Sequence, residues 1–189
     1  MEFTTTREGW VQVEVSQDYV DLAHEMYDER VEIHKNISGL EVGDNIWVGD
    51  LGEIVLDEWL THHGLAHHWG QPDEQLTEPD FRIGDAIIDA KTSLRNNRPH
   101  RHWTVGFPEH QLRKPIGGYF FMVYRPPQWK GEPHLVWLLG AIPRKEFEQE
   151  CTHDKKGDML SSGFPCRASM YNVTIDKLIS SGDCLEDTT

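Results

Sequence analysis

The stretch DFRIGDAIIDAK, residues 80–91, constrains the fold of this chain more than any other. Gly84-Asp85 lies between two apolar runs as a two-residue turn signal, and a loop of that length fixes the register of the hairpin it closes. Ile83 then faces Ala86, Arg82 faces Ile87, Phe81 faces Ile88, and Asp80 faces Asp89. Alternation puts Phe81, Ile83, Ala86, Ile88 and Ala90 on one face, and Asp80, Arg82, Ile87, Asp89 and Lys91 on the other. The first face is entirely apolar and must be buried. Burial makes a one-residue slip costly, because a slip exchanges the two faces. Two carboxylates are thereby expected opposite one another, which destabilises a strand pair unless they share a proton or a cation lies between them. Mg²⁺ is often held by one or two carboxylates together with waters and substrate phosphates. Lys91, two residues beyond Asp89 on the same face, can bring its ammonium beside a metal-bound water and a phosphate.

The apolar face needs a cover, and the chain upstream supplies one. Ser16 precedes a helical pattern through about Ile37, with Tyr19, Ala23, Met26, Ile33 and Ile37 at three- and four-residue steps and Gly39 as its stop. A second helix is predicted from about Val48 to His62, where Val48, Leu51, Val55, Leu56 and Trp59 form one apolar arc ended by Gly64. Glu53 borders that arc, so its carboxylate is expected to reach the edge of the sheet. AHHW (66–69), DFRI (80–83), AIIDAKT (86–92), YFFMVYR (119–125) and HLVWLLGAI (134–142) read as strands rich in branched and aromatic residues. The segment 107–114 is expected to be a short helix opened by Pro108, and another helix is expected from Pro143. No repeat or long linker divides the chain, so residues 1–189 are expected to form one domain, with SSGDCLEDTT at its end frayed.

Net charge is −14, which argues against a polyanionic partner until its distribution is considered. Residues 1–80 carry −16, residues 81–145 carry +7 and residues 146–189 carry −5. From Lys91 to Lys114 the bases are Lys91, Arg95, Arg98, Arg101, Arg113 and Lys114, against the single acid Glu109. Asn96, Asn97, His100, His102 and Trp103 add donors and a stacking surface, a composition suited to tracking a phosphate backbone. The three cysteines, Cys151, Cys166 and Cys184, are too few and too widely spaced for a disulfide framework, and no apolar run has membrane-spanning length. A cytoplasmic protein is the expectation. His62, His63, His67 and His68, and the set Cys151, His153 and Cys166, lack the ligand spacing of zinc sites.

Pro79-Asp80, eight intervening residues and Asp89-Ala90-Lys91, preceded by a helical Glu53, resemble the PD-(D/E)XK nuclease superfamily, also called restriction-endonuclease-like. The element order over about residues 47–125 is similar to that family's core. The resemblance implies an α/β fold with a central mixed β-sheet flanked by helices, in the order αβββαβ. The N-terminal helix (16–38) and the C-terminal strand and helix (134–150) would be additions to it. It further implies Mg²⁺ or Mn²⁺ held by Asp80, Asp89, Glu53 and the Ala90 carbonyl, Lys91 positioning or deprotonating the attacking water, and Gln111 near the site. The implied reaction is phosphodiester hydrolysis, most readily of DNA and by internal cutting, with Arg95, Arg98, Arg101, His102, Arg113 and Lys114 on the nucleic acid. An RNA nuclease with the same site and a non-catalytic nucleic-acid-binding protein are the alternatives. Cutting both strands of a duplex with one site per chain would favour a homodimer.

Overall fold

The computed structural model describes residues 1–37, 46–70, 79–113, 115–159, 165–166 and 168–188. Two strands open the chain, β1 (Glu2–Thr5) and β2 (Val11–Val15), followed by the helices α1 (Gln17–Ile37) and α2 (Trp47–His62). Strands β3 (His67–Trp69), β4 (Phe81–Ile83) and β5 (Ala86–Leu94) come next. Then come β6 (Thr104–Pro108), a 3₁₀ segment (Glu109–Arg113), β7 (Gly118–Arg125), β8 (His134–Pro143) and α3 (Arg144–Glu150). Strands β9 (Thr152–Asp154), β10 (Met170–Thr174) and β11 (Ile179–Ser180) complete the order among the described residues.

The architecture is mixed α/β. Its main sheet runs β1-β2-β8-β7-β5-β4-β3, with β11 also on β8, and a second, smaller sheet runs β6-β10-β9. Among the described residues only the β5–β7 pairing is parallel, and parallel neighbours cannot be joined by a tight turn. The connection between them therefore leaves the sheet, and it carries β6 and the 3₁₀ segment across one face.

Each face has its own core. On the helical face, Leu51, Val55, Leu56 and Trp59 of α2 pack with Phe81, Ala90, Phe120, Met122 and Tyr124. On the opposite face, Tyr119, Phe121 and Val123 pack with Val105 and Phe107 of β6 and with Phe147 of α3. β7 is thus apolar on both sides, which is why YFFMVY shows no alternation in the sequence. The hairpin's apolar face does lie against α2, with Ile83 and Ile88 packed on the same cluster. Its register is as expected, with Ile83 paired to Ala86, Arg82 to Ile87 and Phe81 to Ile88. Gly84 turns it with φ +55°, a conformation that costs a residue without Cβ least.

Three sequence expectations are corrected. Residues 107–114 are not a helix with Pro108 at its start: Thr104–Pro108 is strand β6, paired with β10, and only Glu109–Arg113 winds into 3₁₀ turns. The buried residues there, Val105 and Phe107, follow a period of two, and Pro108 is tolerated because β6 lies at the edge of its sheet. The expected αβββαβ order accordingly has a strand and a 3₁₀ segment where an α-helix was predicted. The N-terminal residues, to which the sequence reading assigned no element, provide β2, which pairs with β8 along its whole length. Nor is the start of the SSGDCLEDTT segment frayed: Ser180 pairs with Gly140, and the fully buried Ser181 accepts from the Val11 N–H and donates to the Leu138 carbonyl. Gly39, expected to stop α1, lies outside the described residues.

Candidate active site

Asp89 and Lys91 leave β5 on the face opposite α2, into the seam between the main sheet and β6. Asp89 is fully buried and its Oδ2 takes an ion pair from the Lys91 ammonium, whose side chain is 14% exposed. The ammonium lies 5.7 Å from the centre of the Phe107 ring, within cation–π range. Tyr119, opposite Asp89 on the parallel neighbour β7, completes the wall; its hydroxyl is pushed up to about 12 by burial, with the Asp89 carboxylate adding to the effect and Arg144 opposing it. Removing two charges from water is costly, so this pair depends on close contact and on aromatic faces around the cation.

Asp80 directly precedes β4. Its Oδ2 accepts the Ala90 N–H at 2.7 Å, so the carboxylate continues the hairpin where backbone pairing with β5 stops. The same contact holds Asp80 beside the Asp89-Ala90-Lys91 segment. Asp80, Asp89 and Lys91 are therefore brought together by one hairpin.

Glu53 does not join them. Its carboxylate reaches the sheet edge, as expected, but on the helical face: Oε2 accepts the Trp69 indole N–H at 3.1 Å, and Trp69 stacks on Phe81 with centroids 6.1 Å apart. Trp69, Phe81 and Ile88 share that face, while Asp89 and Lys91 belong to the other. The departure follows from α2 lying directly over β5. A Cβ on Gly52 would sit 1.8 Å from Thr92 Oγ1, so helix and strand meet closely at the residue before Glu53. Trp69 as the partner of Glu53 had no sequence signal beyond its place in AHHW.

Gln111 lies in the 3₁₀ segment with a buried Oε1 that finds no partner among the described residues. Among the described residues, no three His, Cys, Asp or Glu side chains are grouped to hold a metal ion. Two hard carboxylates, Asp80 and Asp89, suit Mg²⁺ or Mn²⁺ of the kind completed by water and phosphate. His67, in the neighbouring strand β3, bonds instead to Asp57 at 2.8 Å and to the Leu65 carbonyl at 2.8 Å.

The basic loop that continues β5 is anchored. Arg95 N–H bonds to the Tyr124 carbonyl, Ile175 N–H to the Trp103 carbonyl and Asp176 N–H to the Arg101 carbonyl, at 2.9, 2.9 and 3.0 Å. Arg98 pairs with Glu8 at 2.7 Å and Arg101 Nη2 donates to the Glu8 carbonyl at 3.1 Å, so both rest on the turn between β1 and β2. Arg95 and His102 are exposed and line a hollow of about 580 Å³ with Leu94, Asn96, Asn97 and Trp103. Lys114 and the Arg113 side chain lie outside the described residues. In comparisons with known proteins, no family model, no curated protein and no solved structure matches this chain. No helix among the described residues is long and apolar enough to cross a membrane.

Proposed function

We propose that this chain is a metal-dependent nuclease that hydrolyses phosphodiester bonds, with DNA as the first substrate to test and internal cutting favoured. The observation that carries the reading is the hairpin, in which the Asp80 carboxylate is fastened to Ala90 N–H while Asp89 and Lys91 share the adjoining face. Asp80 and Asp89 would hold Mg²⁺ or Mn²⁺, and the metal would lower the pKa of a bound water and neutralise charge on the phosphate. Lys91 contributes a positive charge fixed beside Asp89, suited to holding the attacking water or a phosphate oxygen. Tyr119 and Phe107 keep bulk water from the inner side of that pair. The exposed cations and polar groups that follow β5 suit the phosphates flanking the cleavage point.

A second reading, nucleic-acid binding without hydrolysis, is favoured by two specific observations. Asp89 is fully buried against Lys91, and Glu53 is engaged by Trp69 on the far face. One experiment separates the readings. Supercoiled plasmid, linear duplex, single-stranded DNA and RNA are incubated with Mg²⁺, Mn²⁺ or EDTA, using wild type, Asp80→Asn, Asp89→Asn and Lys91→Ala proteins of verified fold. Metal-dependent cutting that falls about 100-fold or more in the variants is the expected result. Nucleic-acid binding with no cutting of any substrate would transfer the assignment to the second reading.

A further inference from the structure

The ends of β5 and β7 carry a second feature on the turn that leads into β8. Trp129 is 67% exposed there, more than any other aromatic side chain among the described residues with large exposed apolar surface. An exposed indole on a loose turn would mean little, but this turn is braced. Glu132 N–H bonds to the Trp129 carbonyl at 3.2 Å, and Gly131 has φ +91°, as the third position of a type II turn requires. The Glu132 carboxylate is held by Arg125 at 2.6 Å and by the Gln128 N–H. Gln128 Nε2 in turn donates to the Asn96 carbonyl at 3.3 Å, which joins the turn to the basic loop.

We propose that this joined surface binds single-stranded nucleic acid, with one base stacked on Trp129 and another taken into the hollow beside Trp103. The inference deepens the nuclease reading and rests on it only for its link to cleavage. The argument is one of access: in a duplex the faces of the bases are covered by their neighbours, so an indole held on a protruding turn meets an aromatic face only where bases are unpaired. The stretch Leu94–Thr104 carries Arg95, Arg98 and Arg101 with no acid of its own; Glu8 offsets Arg98, whereas Arg95 lines the hollow with its guanidinium on the Thr104 carbonyl, so a phosphate meets a cation here on a chain whose net charge is −14. Asn96 and Asn97 line the hollow with amide donors and acceptors suited to base edges. Three strand residues separate Lys91 from Arg95, four steps that span about 13 Å, so a bound single strand would reach the acid pair within a few nucleotides.

Binding of labelled oligothymidylate, oligouridylate and a duplex of equal length, followed by fluorescence anisotropy in EDTA, tests the proposal apart from hydrolysis. Single strands are expected to bind more tightly than the duplex. Trp129→Ala, which removes an exposed side chain, should weaken single-strand binding about 5- to 100-fold, and Trp129→Phe should restore most of it. The ratio of the two single-stranded probes assigns the bound strand to DNA or RNA, and a preference for either supports the site. Unchanged single-strand binding in a folded Trp129→Ala protein, or duplex bound as tightly as single strands, would overturn it. If binding behaves as expected but wild type cuts nothing in Mg²⁺ or Mn²⁺, the nuclease reading fails and this surface stands. If cutting occurs and Trp129→Ala binds normally, this surface alone fails.

Discussion

The buried Asp89–Lys91 pair bears on stability as well as on the proposed chemistry. Deleting the cation leaves a carboxylate with no exposure facing aromatic rings, so Lys91→Met is expected to destabilise the protein by about 3–5 kcal/mol in urea unfolding. Adding Asp89→Leu should recover most of that loss, because the buried charge goes with it. Loss of activity in an Asp89 variant therefore counts as evidence for a catalytic role only when its fold has been verified. His67 offers a separate residue-level test. Burial works against its protonation, but the Leu65 carbonyl and the Asp57 carboxylate outweigh it, and its pKa is raised. A raised pKa in the folded state stabilises the fold below the unfolded-state value, about 6.5, and that contribution is lost as pH rises through the folded value. Burial lowers the pKa of His63 and His134, which act in the opposite sense, so the test is a difference. The melting temperature of wild type should exceed that of Asp57→Asn most at slightly acid pH, and the gap should shrink toward alkaline pH.

At the scale of elements, the site depends on how closely α2 lies on β5. Gly52 allows the approach, since a Cβ there would meet Thr92 Oγ1 at 1.8 Å and Thr92 Cβ at 2.9 Å. Gly52→Ala must push the helix or the strand aside, and a loss of about 1–3 kcal/mol by chemical denaturation is expected. The same substitution moves the strand that bears Asp89 and Lys91, so any activity should fall along with stability. The hairpin was legible in the sequence because a two-residue turn and a strict alternation leave one register with a buried apolar face. β6 was not legible. Its five residues contain Gly106 and Pro108, and their strand character comes from β10, more than sixty residues away in the chain.

The whole molecule is closed by its two ends. β2 covers one edge of β8, β11 pairs with β8 at Gly140 and Ala141, and Ser181 ties Val11 to Leu138. Removing residues 1–15 would expose the edge of β8 and take Trp10, Val11, Val13 and Val15 from the two cores. The truncated chain is expected to lose cooperative unfolding and to aggregate, as circular dichroism and size-exclusion chromatography would show. Local pattern determined α1, α2, the hairpin with its register, and the placing of Asp80, Asp89 and Lys91 together, because each depends on residues within one or two turns or a short loop. Only tertiary structure decided the rest. Glu53 was drawn to Trp69 on the helical face, the Asp89–Lys91 pair was roofed by Phe107, and Arg98 and Arg101 were set against Glu8. These outcomes turn on which face of a sheet a distant segment covers, and that is settled by the packing of whole elements rather than by the spacing of residues along the chain.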